Sequence, residues 1–589
     1  DIEASGYFGR NFAQDRGNIS VQFAASKRGA LRVSDNWYTA TADRRGFFPG
    51  TPLEGLSSLD TRATSTPWGG FFQVLPNVAA GKGVLGAGVP ISQNGVRITG
   101  ATGIFHIQPT VLPGSLGNLG NGLSTDDGQY AGTGDDRELR YETEQGVEIN
   151  PATKRLSVFT TARYDLTDDI EAYGELGYYR ASSRMRVASA GVSSTQPIVI
   201  PATAYWNPFG ALYLPNGTLN PNRLQGLTGV PDSGLPIEIR NYRFADQGLG
   251  YAKVTNDQGR LLGGLKGKAL GFDWDSALVY SWATADDVGR YLSPTRLALA
   301  ISRSTPDAYN PFNGGDLSNY GVGDATPGNS DEFFFWGWRK TKTSLALWDL
   351  KATKPDLFKL WAGDVGVALG VEFRRETYSD DRDPSIDGTL TYTDWYSGAV
   401  NATDLGGTSP TPDSRGDRTV ASAFAELAVP LVSPELNIPL VRSLELQLAG
   451  RIERYSDVGS VAKPKVAAAW GVFDGLTVRG SWSGGFKAPN LELINGSNLT
   501  RRNSATDWIR CEAQVRSTNP QYANVKRYAD CANISFPTES YRGGNPNLKP
   551  EESTSKSVGF VFRPAFIPSQ FGAFTVSADL WQIRQKNVI

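Results

Sequence analysis

The most constraining feature of this sequence is a recurring segment whose side chains alternate between two chemical classes at every second position. In RLSVFTTARYDLTDDIEAYGELGYYR (155–180), apolar or small residues share one face of two strands that a short turn joins. The opposite face of the second strand carries Glu171, Tyr173 and Glu175. A period of two residues indicates β-strands that separate an apolar environment from a polar one. The pattern recurs in DVGVALGVEFRRE, SLELQLAGRIER and GVFDGLTVRGSWSGGF.

The segments between these strands differ greatly in length. Short turns, such as the one at Asp474 and Gly475, alternate with long excursions at about 37–146, 181–242, 378–415 and 487–556. A soluble β-sandwich or propeller favours short and fairly even connections. Short turns at one end and long loops at the other are typical of bacterial outer-membrane barrels, in which the long loops are extracellular.

The predicted fold class is therefore all-β, a transmembrane antiparallel β-barrel that occupies residues 1–589 as one domain. At about 25 residues per strand and connection, this length corresponds to about twenty strands, close to the plugged transporters of about 22 strands. Charged residues on one strand face fit a polar lumen. Aromatic residues near strand ends, such as Trp274, Tyr280 and Trp282, fit the girdles at the two membrane interfaces.

Composition excludes several other classes of protein. The chain has 40% hydrophobic and 11% aromatic side chains, which is typical of a folded protein. A formal net charge of -2 gives no basic footprint for nucleic acid. One His and two Cys leave little material for histidine-dependent catalysis or a zinc site, and no catalytic constellation is evident, so we do not expect an enzyme. No run of about 18 apolar residues predicts a membrane-spanning helix.

Two motifs near the C-terminal end carry a resemblance to a known family. GSWSGGFKAPN (480–490) is followed, after a polar excursion, by YRGGNPNLKPEES (541–553). This pairing resembles the barrel of TonB-dependent outer-membrane receptors, in which a Phe-basic-Ala-Pro element precedes an Asn-Pro-x-Leu-x-Pro-Glu turn. AYWNPFG, DAYNPFN and GDVGVALGVEFRRE resemble other parts of that barrel, so the resemblance covers most of the chain. The motif residues are Phe486, Lys487, Ala488, Pro489, Asn545, Pro546, Asn547, Leu548, Pro550 and Glu551.

We expect these motif residues to be architectural. Pro489, Pro546 and Pro550 fix φ and end strand pairing, because proline has no backbone N–H to donate. The neighbouring glycines permit sharp turns and close backbone approach. The motifs therefore predict a strand that ends, a loop that leaves the membrane, and a rigid turn that begins the next strand.

The resemblance implies energy-coupled uptake of a scarce nutrient, such as an iron-siderophore or an oligosaccharide, across the outer membrane of a bacterial cell. In this family a small nutrient ligand binds between the extracellular loops and an N-terminal plug, on which the inner-membrane TonB-ExbB-ExbD complex acts. No plug precedes Asp1, and family members continue beyond a segment like the one that ends at Ile589. We therefore expect a partial barrel in outer-membrane lipid, which other segments or companion chains complete.

Two further functional classes remain open at this point. A passive outer-membrane porin or structural barrel would conduct ions without a plug. A secreted β-rich binding protein or glycosidase would be soluble without detergent and would need a carboxylate pair at catalytic separation. The substrate is open as well, because aromatic residues in the excursions, such as Trp206, Tyr309, Phe333 and Trp395, are suited either to stacking on a ligand or to forming loop cores.

The two cysteines, Cys511 and Cys531, lie in the excursion between the two motifs. A reactive or metal-binding pair is one interpretation, but no nearby His or further Cys completes a zinc site. We therefore predict a disulfide. It would stabilise a long exposed loop by about 3 kcal/mol in the chain-entropy model, and it requires an oxidising compartment.

The stretch DPSIDGTLTYTD (383–394) has the spacing of a calcium-binding loop, with Gly388 at its sixth position. Its twelfth residue is Asp rather than Glu, and the flanking sequence is strand-like rather than helical, which favours a solvated turn instead. No other cofactor is expected. The candidate calcium ligands are Asp383, Ser385, Asp387, Thr389, Thr391 and Asp394.

Overall fold

The computed structural model describes most of the chain. The described residues are 1–63, 71–75, 91–97, 104–107, 123–125, 141–192, 198–312, 330–407, 409–531, 535–564, 566–567, 570 and 572–588.

Among the described residues, the principal sheet contains 14 strands, and each pairs with the strand of this sheet that follows it in sequence. All of these pairs are antiparallel. The strands are β1 (Ile2–Phe12), β2 (Gly17–Arg28), β3 (Ala152–Asp165), β4 (Ile170–Val187), β5 (Gly250–Ala269), β6 (Phe272–Leu292), β7 (Phe334–Leu360), β8 (Gly363–Arg382), β9 (Ser414–Val432), β10 (Ser443–Tyr455), β11 (Gly459–Phe473), β12 (Leu476–Lys487), β13 (Glu551–Phe562) and β14 (Val576–Lys586).

The connections between these strands fall into two sets, one at each end of the sheet. The turn end has 13–16, 166–169, 270–271, 361–362, 433–442, 474–475 and 563–575. The loop end has 29–151, 188–249, 293–333, 383–413, 456–458 and 488–550. The sequence pattern did not predict the long connection 293–333, because its helix has apolar residues that resemble the strand pattern on either side.

One face of the sheet is apolar and the other is polar. Each face can be followed from strand to strand, because directly paired residues project from the same side of the sheet. Leu278 pairs with Trp348, which pairs with Phe373, and these belong to the apolar face. Asp349 pairs with Glu372 on the polar face. The alternation predicted from sequence is therefore confirmed. The apolar face includes Phe8, Phe23, Leu176, Leu261, Leu278, Phe373, Ile452, Trp482, Val558 and Leu580, all of which are exposed.

Four α-helices lie in the described parts of the long connections: α1 (Pro294–Ser302), α2 (Pro384–Asp387), α3 (Leu491–Asn495) and α4 (Trp508–Arg516). Ser293 begins α1, since its side chain accepts a hydrogen bond from the backbone of Arg296 at 3.2 Å. The same hydroxyl donates to Asp404 at 2.5 Å and so ties α1 to the connection after β8. Within the described ranges, no helix is long and apolar enough to cross a membrane.

The described residues of the first four long connections fold together into a unit that we call the loop cap. A small sheet joins the first two of them through strands Phe71–Val74, Ile104–Ile107, Leu123–Thr125, Gly191–Val192, Ile198–Ile200 and Ile237–Arg243. The fourth connection is attached to this sheet by Trp395, which donates its indole N–H to the carbonyl of Val199 at 2.8 Å. Further short strands are Leu31–Arg32 with Glu148–Asn150, Ser92–Gln93 with Val96–Arg97 and Leu227–Thr228, and Tyr392–Thr393 with Val400–Asn401.

The loop cap has a hydrophobic core of its own, which is rich in aromatic rings. Phe72 stacks on Phe105 at a centroid distance of 5.3 Å, and Tyr309 meets Phe333 edge to face at 5.0 Å. From the sequence, Tyr309 and Phe333 are suited either to stacking on a ligand or to forming a loop core. In the structure they are 2% and 0% exposed. Both rings therefore belong to the core.

Four charged residues hold together the early part of the loop cap. Arg45 donates to both carboxylate oxygens of Asp43 at 2.8 and 2.5 Å, and Arg62 donates to both of Asp60 at 3.0 and 2.9 Å. The two pairs touch, since Arg45 Nη2 lies 3.4 Å from Asp60 Oδ2. Hydrogen bonding to Arg45 lowers the pKa of Asp43. Burial raises the pKa of Asp60, but hydrogen bonds and charge from Arg62 outweigh it and lower the value.

Acidification is expected to loosen this cluster. A carboxyl group whose pKa is lowered by folding stabilises the fold above its ordinary pKa, and this contribution is lost as the pH falls through the folded-state value. The amide hydrogens of Arg44 and Thr61, both bonded across the cluster, should exchange about tenfold faster near pH 3 than near pH 6 after correction for intrinsic rates. The double variant Asp43→Asn, Asp60→Asn should lose this pH dependence. Equal corrected rates in the unmodified protein would contradict the prediction.

Candidate functional site

The two predicted motif halves meet at the base of the last long loop. β12 ends with Phe486 and Lys487, and β13 begins with Glu551, which pairs directly with Lys487. Lys487 Nζ lies 3.3 Å from a carboxylate oxygen of Glu551. The ring of Phe486 meets Tyr455 edge to face at a centroid distance of 6.4 Å. The strand pairing ends where Ala488 leads the chain into the loop.

The second motif half closes the loop with backbone hydrogen bonds. Asn545 accepts from the amide of Asn547 through its side chain at 2.9 Å and from the amide of Leu548 through its carbonyl at 3.2 Å, which forms a tight turn. The amide of Asn545 donates to the carbonyl of Leu493 at 2.9 Å. The amide of Gly544 donates to the carbonyl of Gly496 at 2.6 Å. These contacts hold the turn against the start of the loop, and the architectural role of the motif residues stays a prediction.

Gly544→Ala is expected to open this base. A Cβ atom at Gly544 would lie 2.5 Å from both the amide nitrogen of Gly496 and the carbonyl oxygen of Ile494, and backbone atoms have little room to move. The expected cost is about 1–3 kcal/mol, as for other overpacked positions. Gly543→Ala is the matched control, because the close contact of its Cβ is with the side-chain end of Asn498, which can rotate away, and the nearest backbone atom lies at 3.8 Å. Limited proteolysis of loop 488–550 measures the effect, and equal cleavage of the two variants would contradict it.

Arg418 of β9 joins the first motif half to the polar face. Its side chain is 5% exposed, and it donates Nε to Asp457 at 2.9 Å and Nη2 to the carbonyl of Pro489 at 2.7 Å. Nη1 lies 4.0 Å from Glu376, and the guanidinium stands 5.4 Å from the centre of the Tyr455 ring. Arg418 was not among the site residues predicted from the sequence. Its place on the polar face follows from the period of two, but its partners come from four other segments: β8, β10, connection 456–458 and loop 488–550.

The polar face continues as a network of paired charges. Arg374 lies 2.6 Å from Glu372 and 2.8 Å from Glu376, and Arg451 lies 2.5 Å from Glu453. Each positive charge in this network therefore has an acidic partner. Such mutual neutralisation keeps a dense set of charges compatible with a partly buried wall.

A groove of about 870 Å³ lies along the polar face beside α3. Its lining includes Tyr179, Gln258, Ser281 and Thr343 from four neighbouring strands. Leu491, the first residue of α3, lines it as well. The volume lies within the usual range of small-molecule sites, about 300–1,000 Å³. This groove is the candidate ligand site.

Comparison with known proteins decides the family. The model of the TonB dependent receptor-like β-barrel matches residues 205–589, which is more than half of the chain. This chain belongs to that receptor family. The family membership and the antiparallel sheet of the receptor-barrel type, both predicted from sequence, are thereby confirmed. The family is one of receptors and transporters rather than of enzymes.

Solved structures similar to this receptor are remote in sequence. A mutant of the ferric enterobactin receptor from Pseudomonas aeruginosa is 12% identical, with a TM-score of 0.41, and the match covers 99% of this chain and 50% of that one. The siderophore receptor PirA from Acinetobacter baumannii is 11% identical, with a TM-score of 0.43 and the same coverages. The RagAB peptide importer is 11% identical over 74% of this chain and 41% of that one, with a TM-score of 0.38.

The receptor spans half the length of the first two of these structures. No curated protein matches it.

The receptor's last loop carries a hairpin of strands Leu499–Thr506 and Ser535–Arg542. In sequence, α4 lies between these two strands. Its Cys511 forms a disulfide with Cys531, with 5.5 Å between the Cα atoms. The predicted pairing is confirmed. Cys511 is buried, and its sulfur lies 3.8 Å from the carbonyl oxygen of Tyr528.

In this receptor, three of the candidate calcium ligands each accept a backbone hydrogen bond in a different turn. Asp383 accepts from the amide of Ser385 at 2.9 Å, Asp387 from that of Thr389 at 2.6 Å, and Asp394 from that of Ser397 at 2.7 Å. Thr391 is exposed. Across the described part of the chain, no cluster of three or more acidic, His or Cys side chains is arranged to hold a metal ion. The structure does not bring these side chains together, and the calcium site stays a prediction.

Proposed function

We propose that this receptor takes up a scarce nutrient, such as an iron-siderophore or an oligosaccharide, across the bacterial outer membrane by energy coupling. The observation that carries the proposal is the two-faced sheet of 14 strands with its long connections at one end, in a chain of the TonB-dependent receptor family. In this arrangement the apolar face contacts outer-membrane lipid, and the polar face lines the lumen.

The loop end then faces the cell exterior and the turn end faces the periplasm, as in other barrels of this kind. The disulfide between Cys511 and Cys531 fits a location outside the cytoplasm at either end of the barrel, because the exterior and the periplasm are both oxidising. A nutrient would meet the loop cap and loop 488–550 first, and the groove on the polar face lies behind them.

Energy coupling requires a plug segment and the TonB-ExbB-ExbD complex as partners. The barrel wall supplies the ligand path, and the plug, which we expect in the complete receptor, would close that path until TonB acts on it. The ion pairs of Arg374 and Arg451 suit this role, because a charge that already has a partner holds a passing ligand less strongly than an unpaired one.

Uptake by cells that carry the complete receptor tests the proposal. A panel of radiolabelled ferric siderophores and neutral oligosaccharides would be offered to cells with and without the receptor, each in TonB-competent and TonB-deficient backgrounds. We expect accumulation of at least one probe only when both receptor and TonB are present, and its abolition by a protonophore. Accumulation that needs the receptor but neither TonB nor proton motive force would overturn the proposal in favour of a passive porin.

A further inference from the structure

The groove on the polar face offers hydrogen-bonding groups that the protein itself does not use. The side chains of Ser157, Gln258, Ser281 and Thr343 line it. Within the described residues, none of the four makes a side-chain hydrogen bond to another protein group. Each hydroxyl or amide both donates and accepts, so these groups match a ligand whose own groups do the same.

Aromatic rings lie among these polar groups. Tyr179 and Phe159 come from adjacent strands of the groove, and the side chain of Phe159 is 38% exposed. Tyr378 lines the groove as well, and its hydroxyl lies 3.2 Å from that of Ser414. Exposed rings beside hydroxyl and amide groups are suited to apolar faces of a ligand whose edges are polar.

The charges that line the groove cancel. Two are positive, Arg260 and Arg418, and two are negative, Glu376 and Glu492. Arg418 is already committed to Asp457 and Pro489, and Arg260 Nη2 lies 3.8 Å from Glu175. A polyanionic iron chelate is bound best by arginine or lysine side chains that lack an acidic partner.

We propose that this groove binds a neutral, polyhydroxylated ligand of the oligosaccharide class. The inference rests on the proposed uptake function and narrows its substrate. Ring faces contact the sugar rings, and the four polar side chains exchange hydrogen bonds with sugar hydroxyls. The net-neutral lining selects against multiply charged iron chelates.

Calorimetric titration of the complete receptor in detergent tests this assignment. The probes are a panel of neutral di- to octasaccharides and a ferric tricatecholate complex. At least one oligosaccharide should bind with an affinity that changes less than twofold between low and high sodium chloride, because no ion pair forms. The double variant Tyr179→Ala, Gln258→Ala should weaken that binding about tenfold or more.

Tyr280→Ala is the matched control, because Tyr280 lies on the apolar face and outside the groove. It should bind the oligosaccharide as the unmodified receptor does. Circular dichroism establishes that each variant is folded. Binding of the ferric complex with no oligosaccharide bound, or oligosaccharide binding that the double variant does not weaken, overturns the assignment. Either result leaves the proposed uptake standing, since that fails only if accumulation is independent of TonB.

Discussion

Replacement of Arg418 by methionine is expected to release the start of the last loop from the barrel wall, at a cost of about 3–5 kcal/mol. Methionine keeps much of the side-chain volume but removes the guanidinium that bridges Asp457 and the carbonyl of Pro489. Asp457, whose side chain is 19% exposed, would lose its ion pair. Hydrogen exchange of the amides in 490–496, measured in the complete receptor, should rise well above that of the unmodified protein.

Two further variants separate the bridge from a general effect of removing charge. Arg415→Met alters an exposed arginine on the same strand and should leave exchange in 490–496 unchanged. Adding Asp457→Asn to Arg418→Met removes the stranded charge and should recover part of the lost stability, because an unpaired carboxylate costs more than a neutral amide. If Arg418→Met and Arg415→Met gave the same exchange, the bridge would have no structural role.

Leu278→Arg is expected to destabilise the membrane-inserted receptor by about 2–4 kcal/mol, the cost of a basic side chain near the bilayer midplane of a β-barrel. Leu278 is 63% exposed on the apolar face, four residues from Trp274 and four from Trp282 on the same strand. At about 3.3 Å per residue, the two indoles lie about 26 Å apart along the strand, which at a tilt of about 40° spans about 20 Å of the apolar band of about 25 Å on such barrels. Denaturant unfolding in lipid vesicles measures the loss.

Val279→Arg is the control for this prediction, since Val279 is the next residue and lies on the polar face, paired with Leu347. An arginine there enters the lumen and should cost clearly less than Leu278→Arg. A larger loss for Val279→Arg would mean that the two faces had been assigned the wrong way round. Equal losses would show that neither face contacts lipid.

The sequence was sufficient for the strands because their chemistry repeats at the period of the structure. Leu444, Leu446 and Leu448 lie on one face of β10, and Glu445 and Gln447 lie on the other. The apolar and the polar face can therefore be recognised from the sequence. Short turns are legible for a similar reason, as at Gly475, whose φ of 95° is readily adopted by glycine. These signals depend on neighbours along the chain.

The core of the loop cap could not be predicted from the sequence, because it is assembled from segments far apart in the chain. Phe72, Phe244 and Phe333 belong to three different connections, and none shows a periodic pattern that distinguishes a core ring from a ligand platform. Trp395 meets Val199 across almost two hundred positions. Such contacts follow from how the strands below space the loops.

The sequence by itself determined the antiparallel strands, their apolar and polar faces, the resemblance to the receptor family and the pairing of its two cysteines. These features could be predicted because alternating side chains, turn residues and the two cysteines are all recognised from residues near one another in the sequence. Only the tertiary structure decided that Arg418 joins Asp457 to Pro489, that Gly544 closes on Gly496, and that four polar side chains from separate strands line one groove. The physical reason is that these arrangements depend on strand register and sheet curvature, which place distant residues together.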